Sequence, residues 1–367
     1  MAEDLVIIGS GPAGLAAAVV AARAGVKVTV VDENASPGGQ LFKQIHKFFG
    51  SEEHQAGIRG IDIGYRLLEE CHLAKVKVML NTAAWGIFHS SGNATTVAIK
   101  NKNDSLCSLD TKVVLLATGA RENPLAFPGW TLPGVMGAGA AQTLINLHRI
   151  RPGNRVLMIG SGNVGLIVSY QLKQAGADIA AVIDIKPEIG GWGVHAAKLT
   201  RTGIPILCSH KIIEVRGVDK VEEAHVARVD REAKSIPGSE KLFKVDTVCI
   251  AVGLSPMAEL AWSGGCRFAY LPELGGHVPV HNRSMETTRN NIYIAGDISG
   301  IEEASTAMEE GKIAGISIAR SLGLLKNECA EELIRNKEKN LSALRGGPMG
   351  KTRKLAKEKL IRLFNIC

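Results

Sequence analysis

The sequence predicts an α/β protein in which one strand–turn–helix–strand unit occurs twice, the second copy inserted into the domain that the first copy begins. Three observations carry this expectation. Two apolar runs, LVII at 5–8 and RVLMI at 155–159, lead straight into a GxGxxG turn. Each turn opens a helical stretch and a further apolar run that ends on an acid, Asp32 in one copy and Asp184 in the other. Two short glycine-bearing segments, at 117–119 and 295–297, lie on either side of the second copy.

In the first copy the turn is Gly9-Ser10-Gly11-Pro12-Ala13-Gly14. Gly9 permits the tight turn, Gly11 lets the backbone approach a pyrophosphate, and Gly14 lets helix and strand pack closely. Pro12 and Ala13 begin an alanine-rich helix running to about Ala24, whose free N–H groups and partial positive charge face the phosphates. The strand VKVTVV then delivers Asp32, placed to accept hydrogen bonds from an adenosine ribose, with Glu33 as a second candidate. Strand, glycine turn, helix, strand and acid in that order make a Rossmann-like dinucleotide-binding unit.

The second copy repeats the order. Gly160-Ser161-Gly162-Asn163-Val164-Gly165 precedes a helix over 164–175, a turn at Gly176, the strand IAAVI and Asp184. An aspartate here hydrogen-bonds the ribose of NAD(H) and repels the 2′-phosphate of NADP. Lys186, two residues on, leaves NADP open, and a degenerate site or another adenine nucleotide is the remaining alternative.

The identity of the first nucleotide comes from resemblance. VVLLATGA at 113–120 resembles the ATG motif of two-dinucleotide-domain flavoproteins, and NIYIAGD at 291–297 resembles their AGD motif. The resemblance implies FAD, with Ala117, Thr118, Gly119 and Gly296 at the site and Asp297 on the ribityl chain. The helix from about Glu303 would point its positive end at the flavin. Gly38-Gly39-Gln40 resembles the GGQ turn of the thioredoxin-reductase-like branch, which places Gly39 and Gln40 under the flavin. AVGLSP at 251–256, around Gly253, resembles the segment where the NAD domain returns the chain. The expected domains are 1–128 with 252–325 for FAD, 129–251 for NAD, and a basic helical tail at 326–367.

Between the two copies runs ATGARENPLAFPGWTLPGVMGAGAAQTL. In thioredoxin reductases the redox-active CxxC pair lies here; aligning the PGV elements puts those positions near Ala138 and Ala141. No thiolate is available, so dithiol chemistry is excluded at this place. The small residues would instead let a flavin, a nicotinamide or another chain come close. FPGWTLPGVM followed by GAGAAQ resembles the FAD/NAD-binding subunits of heteromeric amine and amino-acid dehydrogenases, the opine oxidase, hydrogen cyanide synthase and hydroxyproline or proline dehydrogenase type. This resemblance covers residues 3 to about 325. It implies a hetero-oligomer with a small iron–sulfur protein or domain and an amine-oxidising flavin subunit. Many relatives add a cysteine cluster after the FAD domain. This chain has only Cys329 and Cys367 there, so a [2Fe–2S] centre would sit on another polypeptide.

Composition narrows the rest. The net charge is +7, but residues 326–367 hold 11 Lys/Arg and 5 Asp/Glu, so the basicity belongs to the tail. None of the 16 aromatics interleaves with the tail's basic cluster, which argues against base stacking on nucleic acid. The seven cysteines form no CxxC, which argues against zinc or a local cluster. No apolar run reaches the ~18 residues of a membrane span, and the start MAEDLVIIGS leads into a strand, so a cytoplasmic location is expected. Leu355, Leu360, Ile361 and Phe364 give the tail a basic amphipathic helix that docks on a partner, packs on its own body or lies on a membrane surface. Arg121, Gln142, Trp192, His195 and His281 stand near the motifs without forming a catalytic set, and hydride transfer through a flavin needs none. The expected function is the electron-transferring FAD subunit of a multi-subunit amino- or imino-acid dehydrogenase. Its rivals are a stand-alone NADH-dependent flavin reductase and a nucleotide-binding scaffold subunit.

Overall fold

A computed structural model describes residues 3–48, 51–89 and 95–366. The chain divides into two units, one of residues 1–121 with 255–367 and one of residues 122–254. These borders lie seven and three residues from the expected ones, at 128/129 and 251/252. The linking segment accounts for the first difference. Leu125, Phe127 and Leu132 pack with Ile212, Val215 and Val221 of the second unit, so they belong to its core.

Unit 1 begins with β1 (Glu3–Ile8), α1 (Pro12–Arg23) and β2 (Val28–Val31), followed by α2 (Gly60–Leu73) and β3 (Lys77–Met79). An antiparallel excursion, β4 (Ala83–His89) and β5 (Thr95–Lys100), leads into the long β6 (Leu106–Leu116). The sheet order is β3-β2-β1-β6-β5-β4. β1 is parallel to both neighbours and buried on both faces, which is why it reads as an unbroken apolar run. Its period of two divides the core: Leu5 and Ile7 face the layer containing α1, while Val6 and Ile8 face the opposite cluster.

β7 (Ala120–Glu122) ends at the first residue of unit 2, which then holds β8 (Val135–Gly137), α3 (Ala138–Asn146), β9 (Arg155–Ile159), α4 (Asn163–Gln174), β10 (Asp178–Ile183), α5 (Gly193–Arg201) and β11 (Ile206–Leu207). A three-stranded antiparallel sheet follows, β12 (His210–Arg216), β13 (Glu223–Arg228) and β14 (Lys241–Lys244), before β15 (Thr247–Ile250) returns to the parallel sheet. That sheet runs β11-β10-β9-β15-β8.

Re-entering unit 1 at β16 (Leu254–Pro256), the chain forms α6 (Glu259–Ser263), β17 (Phe268–Leu271), β18 (Gly276–Pro279) and β19 (Ile292–Ile294), the last parallel to β6. The order β3-β2-β1-β6-β19 therefore matches β11-β10-β9-β15-β8 strand for strand. The internal repeat is a repeat of topology as well as of motif.

α7 (Ala304–Ser321) lies against α1 so closely that a Cβ at Gly311 would be 2.1 Å from the Ala13 carbonyl oxygen, and one at Gly315 2.7 Å from that of Ala17. The alanine richness of α1 serves this approach. α8 (Asn327–Leu344) buries Ala330, Ile334 and Leu341 in the same core, and α9 (Pro348–Ile366) buries Ala356 and Leu360 beside Leu271, Leu274 and Val278. The basic tail thus packs on its own unit. Leu360 is wholly buried, Phe364 and Leu363 are partly so, and Leu355 alone of the expected apolar face stays well exposed. No helix among the described residues is long and apolar enough to cross a membrane.

Candidate functional site

Five separate stretches of unit 1 converge where β1 ends. Gly9 turns the chain with φ of +106°, a conformation open to glycine without strain. A Cβ there would lie 2.3 Å from the Ala117 carbonyl oxygen, and one at Gly14 would lie 2.0 Å from that of Gly9. So the turn passes directly against Ala117-Thr118-Gly119, and α1 sits directly on the turn. Thr118 Oγ1 donates to the Met257 carbonyl at 2.5 Å and Met257 N–H to that of Gly119 at 3.0 Å, holding this segment in place. Gly39 closes on Gly11, its Cβ direction 2.9 Å from Gly11 Cα, and Gly296 packs on Ala13 at 2.8 Å. Gly11 is different. It is the N-cap of α1 with an ordinary φ of −71°, no side chain caps the helix, and nothing lies within 4 Å of where its Cβ would be.

Asp32, the fifth stretch, is buried and engaged by the protein itself. Its Oδ2 accepts the Ser10 N–H at 2.7 Å and the Ser10 hydroxyl at 2.6 Å; its Oδ1 accepts the Asn34 backbone and side-chain N–H groups, both at 2.8 Å. Glu33 and Gln40 are exposed. Asp297 follows Gly296 and accepts the Glu302 N–H at 3.3 Å. Burial, then the nearby Glu310 and Glu303 carboxylates, push its carboxyl up to about 7, against the pull of the Glu302 N–H and the Lys357 ammonium.

Unit 2 reproduces this geometry closely. A Cβ at Gly160 would be 2.2 Å from the Ala251 carbonyl oxygen, and one at Gly165 2.0 Å from that of Gly160. Gly162 is again an uncapped N-cap facing open space, here for α4, which starts at Asn163 and Val164. Asp184 Oδ2 accepts the Ser161 N–H and hydroxyl at 2.7 and 2.6 Å, and its Oδ1 accepts the Lys186 N–H at 2.9 Å. Asp184 is only partly buried. Gly253 accepts the Asn123 N–H on its carbonyl at 3.0 Å, two residues beyond Ala251 as Gly119 is beyond Ala117. Asn163 Oδ1 accepts the Trp192 N–H at 2.8 Å.

Part of this repeat escaped the sequence reading. Asp32 is followed six and seven positions later by Gly38-Gly39, and Asp184 by Gly190-Gly191 at the same offsets. Both pairs fasten to the serine of their turn: Gly38 N–H donates to the Ser10 carbonyl at 2.9 Å, Gly191 N–H to the Ser161 carbonyl at 2.9 Å. Ser10 and Ser161, which look like filler positions in GxGxxG, are the pins that join turn, acid and glycine pair.

The segment at 133–144 also finds its use. Ala138 and Ala141, near which the sequence comparison puts the thioredoxin-reductase cysteines, are wholly buried in the unit 2 core. The small size of these two serves packing within unit 2, whereas Ala140 between them is exposed and Gly137 and Gly139 are partly so. Gly137 and Gly139 leave room for Glu122, whose Oε1 accepts the Gly139 N–H at 2.7 Å at the start of α3. Gln142 donates to Gln171 at 3.0 Å, Arg121 pairs with Glu259 at 2.6 Å, and Trp192 is exposed. His195 and His281 are buried. Burial lowers His195, with Lys198 adding to it, and burial with Lys357 pushes His281 down to about 4, so both are held neutral. Burial pushes the Cys71 and Cys249 thiols up to about 12, far from thiolates at neutral pH. Among the described residues no group of three His, Cys, Asp or Glu is arranged to hold a metal ion.

The family model for pyridine nucleotide-disulphide oxidoreductases matches residues 3–311. The chain belongs to that family. Its members are FAD-dependent oxidoreductases that use a nicotinamide nucleotide, and this chain is an enzyme of that kind with FAD and NAD(P)H as its cofactors. It is 30% identical over 351 residues to an opine oxidase subunit of Agrobacterium tumefaciens strain Ach5, covering 91% of this chain and 69% of that one. It is 28% identical to hydrogen cyanide synthase subunit HcnB of Pseudomonas aeruginosa, covering 92% and 75%. The thioredoxin reductase structure from T. acidophilum superposes with a TM-score of 0.70 at 21% identity, over 87% of this chain and 98% of that one, and so shares the fold.

The residues of this oxidoreductase fit the cofactors its family uses. In both units a glycine at a helix N-terminus, Gly11 or Gly162, leaves a cradle that a side chain would fill, over N–H groups that no side chain caps. That donor set suits a pyrophosphate.

Proposed function

We propose that this oxidoreductase is the electron-transferring FAD subunit of a cytoplasmic, multi-subunit amino- or imino-acid dehydrogenase. It would pass electrons between FAD, a nicotinamide nucleotide and a partner. The partners would be a separate [2Fe–2S] protein and an amine-oxidising flavin subunit. The observation that carries this reading is a pairing: the two relatives named above are subunits by name, and this chain has two nucleotide cradles with buried alanines where a redox dithiol would stand.

In this reading unit 1 holds FAD, which when bound supplies two-electron redox chemistry. Gly11, Pro12, Ala13 and Gly14 receive the pyrophosphate, Gly9 and Ala117–Gly119 shape the turn beneath it, and Gly39 with Gln40 lies under the flavin. Asp297, after Gly296, accepts from the ribityl hydroxyls. The adenosine ribose meets Asp32 or the exposed Glu33. Unit 2 holds NAD(H) through Gly160, Gly162, Asn163, Val164 and Gly165, with Gly253 shaping the turn. Asp184 has an acceptor position left for the ribose and repels a 2′-phosphate.

The test is isolation of the native complex and amino-acid-dependent dye reduction, compared with the lone chain. The complex is expected to turn over and the lone chain to fail, both with amino acids and as a disulfide reductase. A lone chain matching the rate of the complex would refute the shared-subunit reading. A natively isolated chain without partners that reduces a small acceptor with NADH would make it a stand-alone reductase.

A further inference from the structure

The C-terminal segment reaches the turn that carries Asp297. Glu310 on α7 is buried, and its two oxygens serve different parts of the chain. Oε2 accepts the Gly296 N–H at 3.1 Å and the Ser299 hydroxyl at 2.7 Å, fastening the turn on either side of Asp297. Oε1 belongs to the tail: Lys357 Nζ lies at 2.8 Å and the Arg345 guanidinium at 2.6 Å. Lys357 also donates to Ser299 Oγ at 2.5 Å. Arg345 forks onto Glu302, Nε donating to Oε1 at 2.9 Å and Nη2 to Oε2 at 2.5 Å, and Glu302 is the residue whose N–H reaches Asp297.

Lys357 is 3% exposed, so it has little water to fall back on. A buried lysine is retained only where its partners are complete. Burial would raise the Glu310 carboxyl, yet Lys357 and Arg345 hold it well below the usual carboxylate range. Ala356 and Leu360, flanking Lys357 on α9, are seated in the cluster with Leu271 and Leu274 and so fix where the ammonium points. The same helix that looks like a basic surface element delivers one of its charges to the interior.

We propose that Lys357 and Arg345 are positioning residues of the flavin site. They neutralise Glu310 so that this carboxylate can clamp the Gly296–Ser299 turn and present Asp297 to FAD. The inference rests on reading unit 1 as the FAD site. It makes the C-terminal helix pair a strut for that site and gives the tail a role within its own unit.

The experiment measures FAD dissociation constants by reconstituting the full-length apoprotein, followed by flavin fluorescence, and the midpoint potential of the flavin that binds. Lys357→Met is expected to weaken FAD about tenfold and to lower the potential, because an uncovered negative charge opposes electron uptake. Lys357→Arg returns both values toward wild type. Glu310→Gln combined with Lys357→Met removes both charges and restores the potential; a potential that stays at the Lys357→Met value overturns the neutralisation argument. Ser299→Ala uncovers no charge and is expected to weaken FAD about fivefold, which decides the matter should Lys357→Met not fold. FAD affinity and potential unchanged in these variants, while Asp297→Ala weakens binding, overturn the strut and leave the site standing. If Asp297→Ala itself has no effect, the reading of Asp297 fails instead.

Discussion

Gly11→Val separates the space a ligand needs from the space the protein needs. Gly11 has φ −71° and ψ −176°, which valine adopts without strain, and nothing lies within 4 Å of its Cβ direction. The apoprotein therefore loses little beyond the preference for glycine over larger residues at an N-cap, about 1 kcal/mol. In a domain of this size that is roughly 2–4 °C in melting temperature. The ligand loses much more. An isopropyl group in the cradle holds the pyrophosphate away from the first-turn N–H groups of α1. Two charge-assisted hydrogen bonds at about 1.5–3 kcal/mol each sum to roughly 3–6 kcal/mol, at least ~100-fold in FAD affinity. Gly14→Ala is the opposite case. Its Cβ would stand 2.0 Å from a backbone oxygen, so α1 must shift off the turn. That overpacking costs about 1–3 kcal/mol in the apoprotein. Both variants would be stripped of FAD, melted as apoproteins, and titrated with FAD by flavin fluorescence. Gly11→Val binding FAD within threefold of wild type would refute the assignment of the first cradle.

In unit 2, Gly162→Val is expected to leave FAD content near wild type while abolishing flavin reduction by NADH in stopped flow; reduction at the wild-type rate would mean that the second cradle is not the nicotinamide site. Wild type is expected to prefer NADH to NADPH, and Asp184→Ala to narrow that preference; a wild type reduced faster by NADPH contradicts the reading of Asp184. Asp297 gives a pH signature. Its carboxyl rises from the ordinary 3.8 to about 7 on folding, so the folded apoprotein keeps a proton that the unfolded chain has released. The stability this contributes is whole below about pH 4 and lost as pH climbs through about 7. Denaturant titrations of the apoprotein between pH 5 and 8 should show that decline, and Asp297→Asn should flatten it; parallel curves for the two proteins would count against it.

What could be read from the sequence was whatever the backbone imposes locally. Gly9, Gly14, Gly160 and Gly165 are demanded by a positive φ or by contact with a neighbouring carbonyl, so their spacing alone announces strand, turn and helix. Contacts between distant segments left weaker traces. Glu309 and Glu310 sit in MEEGKIAG, which reads as the polar face of a surface helix. In the fold α7 is covered by α1 and by α8, and Glu309 is buried against Lys312 of its own helix and Asn340 of α8. Nothing local distinguishes Lys357 from the other tail cations; only its place between Ala356 and Leu360, both buried, does so. The glycine pair at 190–191 was legible by its offset from Asp184, once that offset was compared with Asp32 and Gly38-Gly39.

The strand-for-strand match of the two sheets suggests why one cofactor would be retained and the other exchanged. The place beside β6 in unit 1 is filled by β19, and the chain then forms the Gly296–Ser299 turn with Asp297 before α7 begins. The equivalent place beside β15 is filled by β8, and α3 begins at once, its start occupied by the Glu122 carboxylate. In the proposed reading unit 1 would hold its dinucleotide at two places, the glycine cradle and Asp297, with the tail bracing the second. Unit 2 has the cradle and Asp184, and Glu122 stands where unit 1 offers a braced turn. Asp32 accepts four hydrogen bonds from Ser10 and Asn34, whereas among the described residues Asp184 accepts three, from Ser161 and Lys186. On the proposed reading the adenosine ribose would be the stronger handle in unit 2 and the ribityl end the stronger handle in unit 1. Removing Asp184 should cost the nicotinamide nucleotide more than removing Asp32 costs FAD, and a reversed order would break this account of the two copies.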